Sequence, residues 1–468
     1  MRFLSIAAVL LLALSLKAAP RNVLFVVVDD LNTDLGCYGA GQVLTPHIDR
    51  LAARGVRFDR AHAQYPLCNP SRVSFLTGRR PEATGVYVLN TPARKALPDA
   101  VTLPQLFRQN GYYTAGAGKI FHSQGMNDAE AWDFYADRDG EDDQEKAAIK
   151  ARYAGGDGRP RAHVLDGDGS QTRDGINTAT VKRLLAERAA DKRPFFLALG
   201  YHKPHLPWTA PKRFFDLYSP QKLTPASEPA MENIPPIALQ TELTGFAQPD
   251  SRAEALQGYY ACISFIDDLL GSVLAELDRL RLAENTVVVF FSDHGFHLGD
   301  HGGLWAKLSA FERSTRVPLI IAGAGVPQGR AVDVPVELID VYPTLAQLSG
   351  LSAPAGLDGL SLVPAMQGQA LSRPYAASMV FHYDVTSQRD VLGRTLIAQN
   401  WRYTEWDRGT AGRELYLKSD DPGEYRNRSD DPSVKPTLAL AQSALKQLPE
   451  PKPGPANRPR ALLPKKGN

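Results

Sequence analysis

The chain has 468 residues, enough for one large hydrophobic core and a second, smaller one, because single cores rarely grow beyond about 250–300 residues. Its formal net charge is only +2, so the composition gives no support to a nucleic-acid partner held through phosphate contacts. The 3 cysteines, Cys37, Cys68 and Cys262, are too few for disulfide bonds to define the fold. The sequence does not tell whether Cys37 and Cys262 pair.

The first 19 residues form a separate pattern that predicts export. Arg2 supplies a positive start, residues 6–16 are apolar, and small residues surround Ala19, which together are typical of a secretory signal peptide. A buried first helix is the alternative. The apolar run is shorter than the ~20 residues of a membrane span, and no later stretch reaches that length. We therefore expect an exported protein, periplasmic or extracellular, without a membrane span.

A continuous apolar run at residues 22–28 predicts the first strand, buried on both faces of a mostly parallel sheet. The run ends at Asp29 and Asp30. In open α/β sheets, ligands bind beyond the carboxyl ends of the strands, where two adjacent carboxylates can hold a hard cation through oxygen ligands. A charged turn that only ends the strand is the alternative. Residues 45–55 then predict a short helix, with proline near its start and glycine at its end.

The stretch from Cys68 to Arg79 carries the most specific pattern in the chain. It reads C-x-P-S-R-x-x-x-L-T-G, in which Pro70 sets the first turn of a helix and Gly78 ends it. Helix formation alone does not explain the serine and arginine near the cysteine. A thiol at a helix N-terminus beside Arg72 would have a lowered pKa, so a plain cysteine nucleophile is one chemical interpretation.

This pattern resembles the signature of the type I sulfatases, in which a maturation enzyme oxidises the cysteine to Cα-formylglycine (3-oxoalanine). The resemblance implies that residue 68 works as a hydrated aldehyde with two hydroxyls on one carbon. One hydroxyl attacks sulfur and forms a covalent sulfate ester, and the other later expels the sulfate. One difficult step is thereby divided into two easier ones.

Residues 103–122 predict a helix, then a strand at residues 112–116, then a loop. The loop carries Lys119 and His122, which match the Gly-Lys-x-x-His element of the resembled family. The resemblance implies that Lys119 binds the sulfate group. It also implies that His122 contacts the formylglycine and acts as the base that drives the sulfate out. On spacing alone, a solvated loop is the simpler interpretation of these two residues.

Residues 128–169 are rich in Asp, Glu, Gly and Arg and predict a surface insertion with short helices. An amphipathic helix at residues 178–190 and a buried strand at residues 195–200 follow. The strand leads into Tyr-His-Lys-Pro-His, residues 201–205, which resembles the iduronate-2-sulfatase branch of the family. Of the two histidines in this run, the resemblance gives the catalytic role to His205, as a proton donor to the leaving group.

Residues 211–250 predict a long irregular loop, because they are rich in proline and lack a regular apolar period. Residues 253–280 predict a helix, since apolar residues recur along one face at helical spacing. Asp267 and Asp268 lie within this helix, and we interpret them as a polar face or a helix contact and not as metal ligands.

The third buried strand, residues 286–291, is followed by Ser-Asp-His-Gly. By resemblance, Asp293 and His294 complete a site for one divalent cation, Ca²⁺, together with Asp29, Asp30 and the hydrated residue at Cys68. Many sulfatases have asparagine at the position of His294, and histidine there again indicates the iduronate-2-sulfatase branch. A nitrogen ligand is less natural for Ca²⁺ than for a transition metal, so the metal is identified only as a hard divalent cation.

Lys307 ends the run Gly-Asp-His-Gly-Gly-Leu-Trp-Ala-Lys, and it matches the lysine that the family places on the scissile sulfate oxygen. The family's usual glutamate in this run is replaced by Asp300. His297 and His301 are either substrate contacts or packed loop residues.

The last third of the chain predicts a further strand at residues 317–322, a helix at residues 340–350 and then a different pattern. From residue 357 onward, a small C-terminal α+β subdomain with an antiparallel sheet is indicated by a helix near residues 434–448 and by short candidate strands at residues 375–381, 395–398, 401–405 and 414–417. The end of the chain is rich in proline and lysine and predicts disorder. The expected organisation is a signal peptide (1–19), a catalytic domain (20–356), a C-terminal subdomain (357–448) and a disordered tail (449–468).

The resemblance covers nearly all of the chain after the signal peptide. It implies an alkaline-phosphatase-like α/β sandwich, with a large, mostly parallel sheet flanked by helices. It also implies hydrolysis, with S–O cleavage, of a sulfate ester on a sugar, in a sulfated polysaccharide or a glycosaminoglycan fragment. The implied catalytic residues are Cys68, Arg72, Lys119, His122, His205 and Lys307. Fixed positive charges around the SO₃ group would stabilise the transition state, and His205 with Lys307 would protonate the departing alcohol.

Two other functions stay open at this point. A phosphomonoester or phosphonate hydrolase on the same scaffold would share the metal and the nucleophile. If Cys68 is never oxidised, the chain would be a non-catalytic binder of sulfated glycans. The sequence does not identify the sugar, the position of its sulfate or the oligomeric state.

Overall fold

The structure of the chain is a computed structural model that describes residues 20–136, 146–147, 162–223, 228–239, 252–384 and 386–452. The predicted signal peptide and most of the predicted tail lie outside the described residues, and so do parts of the predicted insertion and of the predicted long loop. Within the described part of the chain, no helix combines the length and the apolar composition that crossing a membrane requires.

The elements alternate between strands and helices through most of the chain. The strands are β1 (Asn22–Val28), β2 (Gly55–His62), β3 (Tyr113–Gly118), β4 (Phe134–Ala136), β5 (Ala162–Leu165), β6 (Phe195–Tyr201), β7 (Trp208–Pro211), β8 (Thr286–Ser292), β9 (His297–Asp300), β10 (Leu304–Ala306), β11 (Arg316–Gly323), β12 (Arg330–Val332), β13 (Val336–Glu337), β14 (Tyr375–Asp384), β15 (Arg389–Ala398), β16 (Trp401–Trp406) and β17 (Gly412–Leu417). The α-helices are α1 (Pro46–Ala53), α2 (Cys68–Thr77), α3 (Pro81–Thr84), α4 (Ala93–Ala96), α5 (Leu103–Gln109), α6 (Arg173–Ala189), α7 (Lys212–Phe215), α8 (Arg252–Arg279), α9 (Glu312–Thr315), α10 (Val341–Leu348), α11 (Val363–Met366) and α12 (Lys435–Leu445).

A 9-stranded sheet forms the centre of the molecule, in the order β12-β2-β11-β8-β1-β6-β3-β4, with β13 also paired to β2. From β8 to β4 the neighbouring strands are parallel, whereas β11 is antiparallel to both of its neighbours. A parallel neighbour needs a long crossover, usually a helix, whereas the segment between β8 and β11 contains the short strands β9 and β10 and, as its α-helix, the four-residue α9. The predicted large, mostly parallel sheet is confirmed.

Both faces of β1 are covered by core, as its unbroken apolar run predicts. Phe25 belongs to the core on one face, where its ring centroid lies 5.5 Å from that of Phe196 and 5.2 Å from that of Phe291. Val26 belongs to the core on the other face, together with residues of α1, α6 and α8. Each fully buried side chain of this size contributes roughly 1.5–3 kcal/mol. This burial fixes β1 in the middle of the sheet.

Two elements begin earlier than their apolar patterns predict. Helix α6 begins at Arg173, not at residue 178, because Thr172 caps it by accepting the Gly175 N–H at 3.1 Å. Strand β15 begins at Arg389, not near residue 395, because it pairs with β14 out to the end of the hairpin, where Arg389 lies opposite Asp384. In both cases charged residues and a glycine interrupt the apolar pattern of the missed residues.

The C-terminal sheet has the antiparallel order β14-β15-β16-β17, which confirms the predicted antiparallel sheet. A third core joins this sheet to the large one. Its members include Tyr65, Leu67, Ile237, Leu308, Met379, Val380, Val391 and Trp406. The C-terminal sheet therefore packs directly against the segments that precede Cys68 and follow Lys307.

Candidate active site

Three parallel strands end at the same level of the sheet, and this register assembles the site. Val28 at the end of β1 is paired with Tyr201 of β6 and with Ser292 of β8. The ladder continues one residue further, because the Asp29 N–H donates to the Tyr201 carbonyl and the Asp293 N–H donates to the Val28 carbonyl, both at 3.1 Å. The polar residues that follow the strands are thus brought together, as we expect at the carboxyl edge of such a sheet.

Two glycines allow β3 to bring Lys119 against β6. Gly118, with a φ of 81°, is paired with Gly200. A Cβ atom on Gly200 would lie 2.2 Å from the Lys119 carbonyl oxygen, and one on Gly118 would lie 2.1 Å from the Gly200 carbonyl oxygen. Both distances are far inside van der Waals contact, so each position requires glycine. The Lys119 N–H can then donate to the Gly200 carbonyl at 3.1 Å.

Cys68 is the first residue of α2, and only 2% of its surface is exposed. The helix ends at Gly78, whose φ of 65° is the left-handed cap that the motif predicts. The Cys68 Sγ lies 3.3 Å from Asp29 Oδ1, 3.3 Å from His294 Nε2 and 3.2 Å from Lys307 Nζ. Residue 68 therefore contacts side chains from three separate strand ends and loops.

Arg72, one turn into α2, has no exposed surface. Its Nε donates to Asp293 Oδ2 at 2.9 Å, and its Nη2 lies 3.6 Å from Asp29 Oδ1. Its Nη1 donates to the carbonyls of Lys119 and Ile120. The planar guanidinium thus joins the helix, two strand ends and the lysine loop, a geometry that the point charge of a lysine does not reproduce.

Two lysines each contact one of the adjacent carboxylates. Lys119 Nζ lies 2.5 Å from Asp29 Oδ2, and Lys307 Nζ donates to Asp30 Oδ1. Together with Arg72 they bring three positive charges to three buried carboxylates, those of Asp29, Asp30 and Asp293. The charges of these side chains balance, so a divalent cation added to the group would make the site positive and suited to an anionic substrate.

Burial and the neighbouring charges act in opposite directions on the carboxylates. Burial raises the pKa of Asp29, but the combined positive charges around it, Lys119 first, hold that pKa well below its usual range. Burial prevails at Asp30, whose pKa is raised, and it raises the pKa of Asp293 to about 6. A bound cation would favour the ionised form of both groups.

Burial and the neighbouring charges also act in opposite directions on the pKa of the Cys68 thiol. Burial and the Asp29 carboxylate raise its pKa, but Lys119, Lys307 and His294 outweigh them and lower the pKa well below the usual range. A cysteine that is not modified at this position would therefore be a thiolate near neutral pH and a reactive one.

His294 has the orientation of a metal ligand. Its Nδ1 lies 3.0 Å from the Gly295 carbonyl, which can only accept, so this nitrogen carries the hydrogen. Its Nε2 lies 3.5 Å from Asp30 Oδ1 and 3.6 Å from Asp293 Oδ1. Metal-binding histidines commonly donate their second ring N–H to a backbone carbonyl in this way. Burial lowers the pKa of His294, but the Asp293 carboxylate and the contact with Cys68 together raise it to about 9.

His205 is also oriented by a backbone carbonyl. Its Nδ1 donates to the Leu206 carbonyl at 2.7 Å. Burial lowers its pKa, and the charges of Lys307 and Lys119 act in the same direction, against Asp30 and Asp29. The ring is therefore mostly neutral at neutral pH, and its protonated form belongs to the acid range.

Among the described residues, the donor atoms of His297, Asp300 and His301 form one possible metal-binding group, and two further groups overlap at Asp29 and Cys68. One is Asp29, Asp30, Cys68 and His205, and the other is Asp29, Cys68, Asp293 and His294; within each group the donor atoms all lie within 4.8 Å of one another. Together the groups contain every metal ligand predicted from the sequence. Buried carboxylate oxygens are the donors that a hard divalent cation prefers, so the residues present fit such an ion.

Within the described residues, His122 is the predicted catalytic residue that neither bonds to the cluster nor belongs to its possible metal-binding groups. It lies on the loop after β3, three positions beyond Lys119. Its Nδ1 is buried and has no hydrogen-bond partner in the part of the chain that the structure describes. Its role as a base stays a prediction.

The start of α6 holds the turn that carries His205, a contact that the sequence analysis missed. The Asp174 carboxylate accepts the N–H groups of His202 at 2.8 Å and of Lys203 at 2.9 Å. Arg173 Nη1 lies 3.1 Å from His202 Nδ1, and because a guanidinium only donates, that nitrogen is an acceptor. Burial lowers the pKa of His202 well below its usual range, so this ring is neutral. The N-cap Thr172 is a local signal for the earlier start of the helix, but it does not indicate this contact with the turn.

His297 and His301 lie on either side of Asp300 and bond within the protein. The Asp300 carboxylate contacts the Nδ1 atoms of both rings. His297 Nε2 lies 2.7 Å from Ser309 Oγ, and His301 Nε2 donates to the Gly423 carbonyl at 2.9 Å. All four ring nitrogens have partners, which favours packed loop residues over substrate contacts.

Comparison with known protein families agrees with this fold and site. A family model described as "Sulfatase" matches residues 21–351, and a model described as "N-sulphoglucosamine sulphohydrolase, C-terminal" matches residues 299–450. The chain therefore belongs to the sulfatase family, whose members are sulfuric ester hydrolases.

Individual relatives show which members of the sulfatase family the chain is similar to. It is 34% identical to a "Sulfatase" of Formosa agariphila over 91% of this chain and 86% of that protein. It is 37% identical to the "Iduronate 2-sulfatase" of Mus musculus over 71% of this chain and 69% of that protein. The similarity to iduronate 2-sulfatases agrees with the branch that the Tyr-His-Lys-Pro-His run indicates.

Solved structures confirm the alkaline-phosphatase-like sandwich. A phosphonate monoester hydrolase of Agrobacterium radiobacter superposes with a TM-score of 0.74 at 22% identity, over 91% of this chain and 95% of that one. A structure described as "a 2-O GAG sulfatase" superposes with a TM-score of 0.70 at 25% identity, over 91% of each chain. The first likeness is one of fold alone.

Proposed function

We propose that this sulfatase removes a sulfate ester from a sugar, using a formylglycine formed from Cys68. The observation that carries the proposal is the position of residue 68, buried at a helix start between the carboxylate cluster and Lys307. Its Sγ stands in for an oxygen of the hydrated aldehyde, which would supply one hydroxyl to attack sulfur and a second to expel sulfate.

Asp29, Asp30, Asp293 and His294, with residue 68, would hold one divalent cation, by family resemblance Ca²⁺. When bound, the cation would polarise the sulfate oxygens and lower the pKa of the attacking hydroxyl. The balance of three carboxylates against three cationic side chains supports this assignment, because it leaves the positive charge of the ion for the substrate.

Arg72, Lys119 and Lys307 would stabilise the negative charge on the SO₃ group as the bond to the sugar oxygen breaks. Their positions are fixed before the substrate arrives, since each already contacts a buried carboxylate. Fixed charges in a site closed to water stabilise a transition state better than mobile ones do. His205 would give a proton to the departing sugar oxygen, and His122 would accept one in the step that releases sulfate.

The proposed substrate is a 2-O-sulfated uronic acid at the end of a glycosaminoglycan or similar polysaccharide. Two comparisons support it: the similarity to iduronate 2-sulfatases and the structural similarity to a 2-O glycosaminoglycan sulfatase. The run of residues 201–205 and the histidine at position 294 support the same branch. A phosphonate or phosphomonoester hydrolase has only the likeness of fold in its favour.

The test is turnover of an aryl sulfate and of the matching aryl phosphate by protein made together with a formylglycine-generating enzyme. We expect faster turnover of the sulfate, label from heavy-oxygen water in the released sulfate and none in the alcohol, and a preference for a 2-O-sulfated uronate among sulfated disaccharides. Cys68→Ala should abolish turnover, whereas Cys37→Ala, which removes a free cysteine outside the cluster, should not. Preference for the phosphate, or label in the alcohol, would contradict the proposal.

A further inference from the structure

Lys307 is held in a strained stretch of backbone. The residues on either side of it, Ala306 and Leu308, have φ values of 71° and 66°, in the left-handed region that residues with a Cβ seldom adopt. Such conformations are unfavourable for residues with a Cβ and persist only where the surrounding structure holds them. The contacts of this stretch therefore decide where Lys307 Nζ lies, 3.2 Å from Cys68 Sγ.

Both backbone groups of Leu308 are bonded to other segments. Its N–H donates to the Pro66 carbonyl at 3.1 Å, in the segment that leads into Cys68. Its carbonyl accepts a hydrogen bond from His382 Nε2 at 2.8 Å. The first bond ties the strained stretch to the nucleophile segment, and the second ties it to the C-terminal sheet.

His382 is itself fixed in position. It lies on β14, and only 1% of its surface is exposed. Its second ring nitrogen, Nδ1, lies 2.8 Å from the Ile237 carbonyl, and its ring centroid lies 4.6 Å from that of Trp406. Backbone carbonyls only accept, so each bond requires a hydrogen on its ring nitrogen, and the two bonds together require the protonated ring.

We propose that His382 is a positioning residue that acts through Leu308 to keep the Lys307 ammonium at residue 68. The expected effect on turnover rests on the proposed function, whereas the expected effect on the position of Lys307 Nζ does not. It assigns the C-terminal sheet a part in the active site: a donor 74 residues further along the chain holds the carbonyl next to the lysine.

Two substitutions separate the two hydrogen bonds of His382. A glutamine amide nitrogen reaches about as far from the main chain as Nε2, so His382→Gln can keep the bond to Leu308. An asparagine amide nitrogen reaches about as far as Nδ1, so His382→Asn keeps the bond to Ile237 and loses the bond to Leu308. Each variant keeps one of the two bonds of residue 382 and loses the other, so the two should lower the melting temperature by similar amounts.

We expect His382→Gln to retain most of the wild-type kcat on an aryl sulfate. His382→Asn should lower kcat by about 100-fold with little change in KM, because a displacement of about 1 Å at a reacting group has an effect of that size. Equal kcat values for the two variants would overturn the proposal, since they would show that the ring only supports the fold.

Crystal structures of the two variants test the same inference without any turnover. Lys307 Nζ should stay within hydrogen-bond distance of residue 68 in His382→Gln and move away in His382→Asn; an unmoved lysine in His382→Asn would overturn the proposal. An inactive wild-type protein would argue against the proposed function, and the structures would still decide the role of His382.

If neither variant folds, wild-type protein with ¹⁵N-labelled histidine provides the test. His382 Nε2 should carry a hydrogen that exchanges slowly with solvent. A ring with no hydrogen on Nε2 would contradict the proposal.

Discussion

The buried charges of the candidate site are paired at the scale of single residues. Arg72 makes this most plain, because it has no exposed surface and contacts two carboxylates from different strands. Leaving a buried charge without its partner is far more costly than breaking a pair at the surface. The site residues therefore contribute to stability as well as to the proposed chemistry.

Replacing Arg72 with methionine tests this directly. We expect Arg72→Met to lower the free energy of unfolding by about 3–5 kcal/mol, because the carboxylates of Asp293 and Asp29 lose a buried partner. Denaturant unfolding measures the change. The matched control is Arg183→Met, which breaks a pair with Glu187 whose side chains are 53% and 43% exposed, and it should cost about 0–1 kcal/mol. Similar losses in the two variants would contradict the pairing.

The pKa of His205 predicts the pH dependence of turnover. Burial, with Lys307 and Lys119, lowers this pKa below its usual value of 6.5. A general acid works in its protonated form, which is lost as pH rises through the pKa, so kcat should fall on the alkaline side with a midpoint below 6.5. The measurement is kcat against pH for wild type and for His205→Gln, which should lose this limb. A limb that survives in His205→Gln would assign the proton to another group.

Among the secondary-structure elements, the close approach of β3 to β6 sets the position of Lys119. The pairing of Gly118 with Gly200 brings the two backbones close at the end of both strands. A side chain on Gly200 has no room between β6 and the lysine loop, since its Cβ would lie within 2.5 Å of three backbone atoms of Lys119.

A methyl group at this position should therefore displace the lysine. We expect Gly200→Ala to lower the free energy of unfolding by about 1–3 kcal/mol, as overpacking does, and to lower kcat because Lys119 shifts. The matched control is Gly41→Ala, because a Cβ at Gly41 would have no atom within 4 Å. This control should leave the free energy of unfolding and kcat unchanged. Wild-type kcat in Gly200→Ala would show that the close approach is not needed for turnover.

How far the elements follow from sequence depends on the range of the interactions that form them. The unbroken apolar run of β1, the helix at Cys68 and the polar residues after the strands are local signals, and the structure has each where the pattern predicts it. The antiparallel direction of β11 depends on its neighbours in the sheet. The contacts from Asp174 to His202 and from His382 to Leu308 join residues far apart in sequence, so no local pattern could predict them.

The two sheets share one core at the scale of the whole molecule. Tyr65 and Leu67 precede the nucleophile position, Leu308 follows the active-site lysine, and all three pack with Val380 and other residues of the C-terminal sheet. The two sequence patterns on either side of the predicted boundary at residue 356 therefore share one hydrophobic core.

A chain that ends at residue 356 should not form a stable catalytic domain. Removing the C-terminal sheet would expose the buried side chains of the shared core and the segments on either side of the site. The control is a chain that ends at Lys452, whose N–H and carbonyl still bond to Glu82 and Tyr87. Thermal unfolding should show a cooperative transition for the longer chain only. A stable, active chain of 356 residues would refute the shared core as a requirement.

The central claim is that residue 68 becomes the nucleophile of a sulfatase, and the mass of one peptide tests it most directly. Trypsin releases residues 61–72, which contain Cys68 and end at Arg72. In protein purified from its own host, we predict a peptide lighter than the cysteine form by the difference between CH₂SH and CHO. A peptide with an unmodified thiol, in folded and exported protein, would contradict the account, because the proposed nucleophile would be absent.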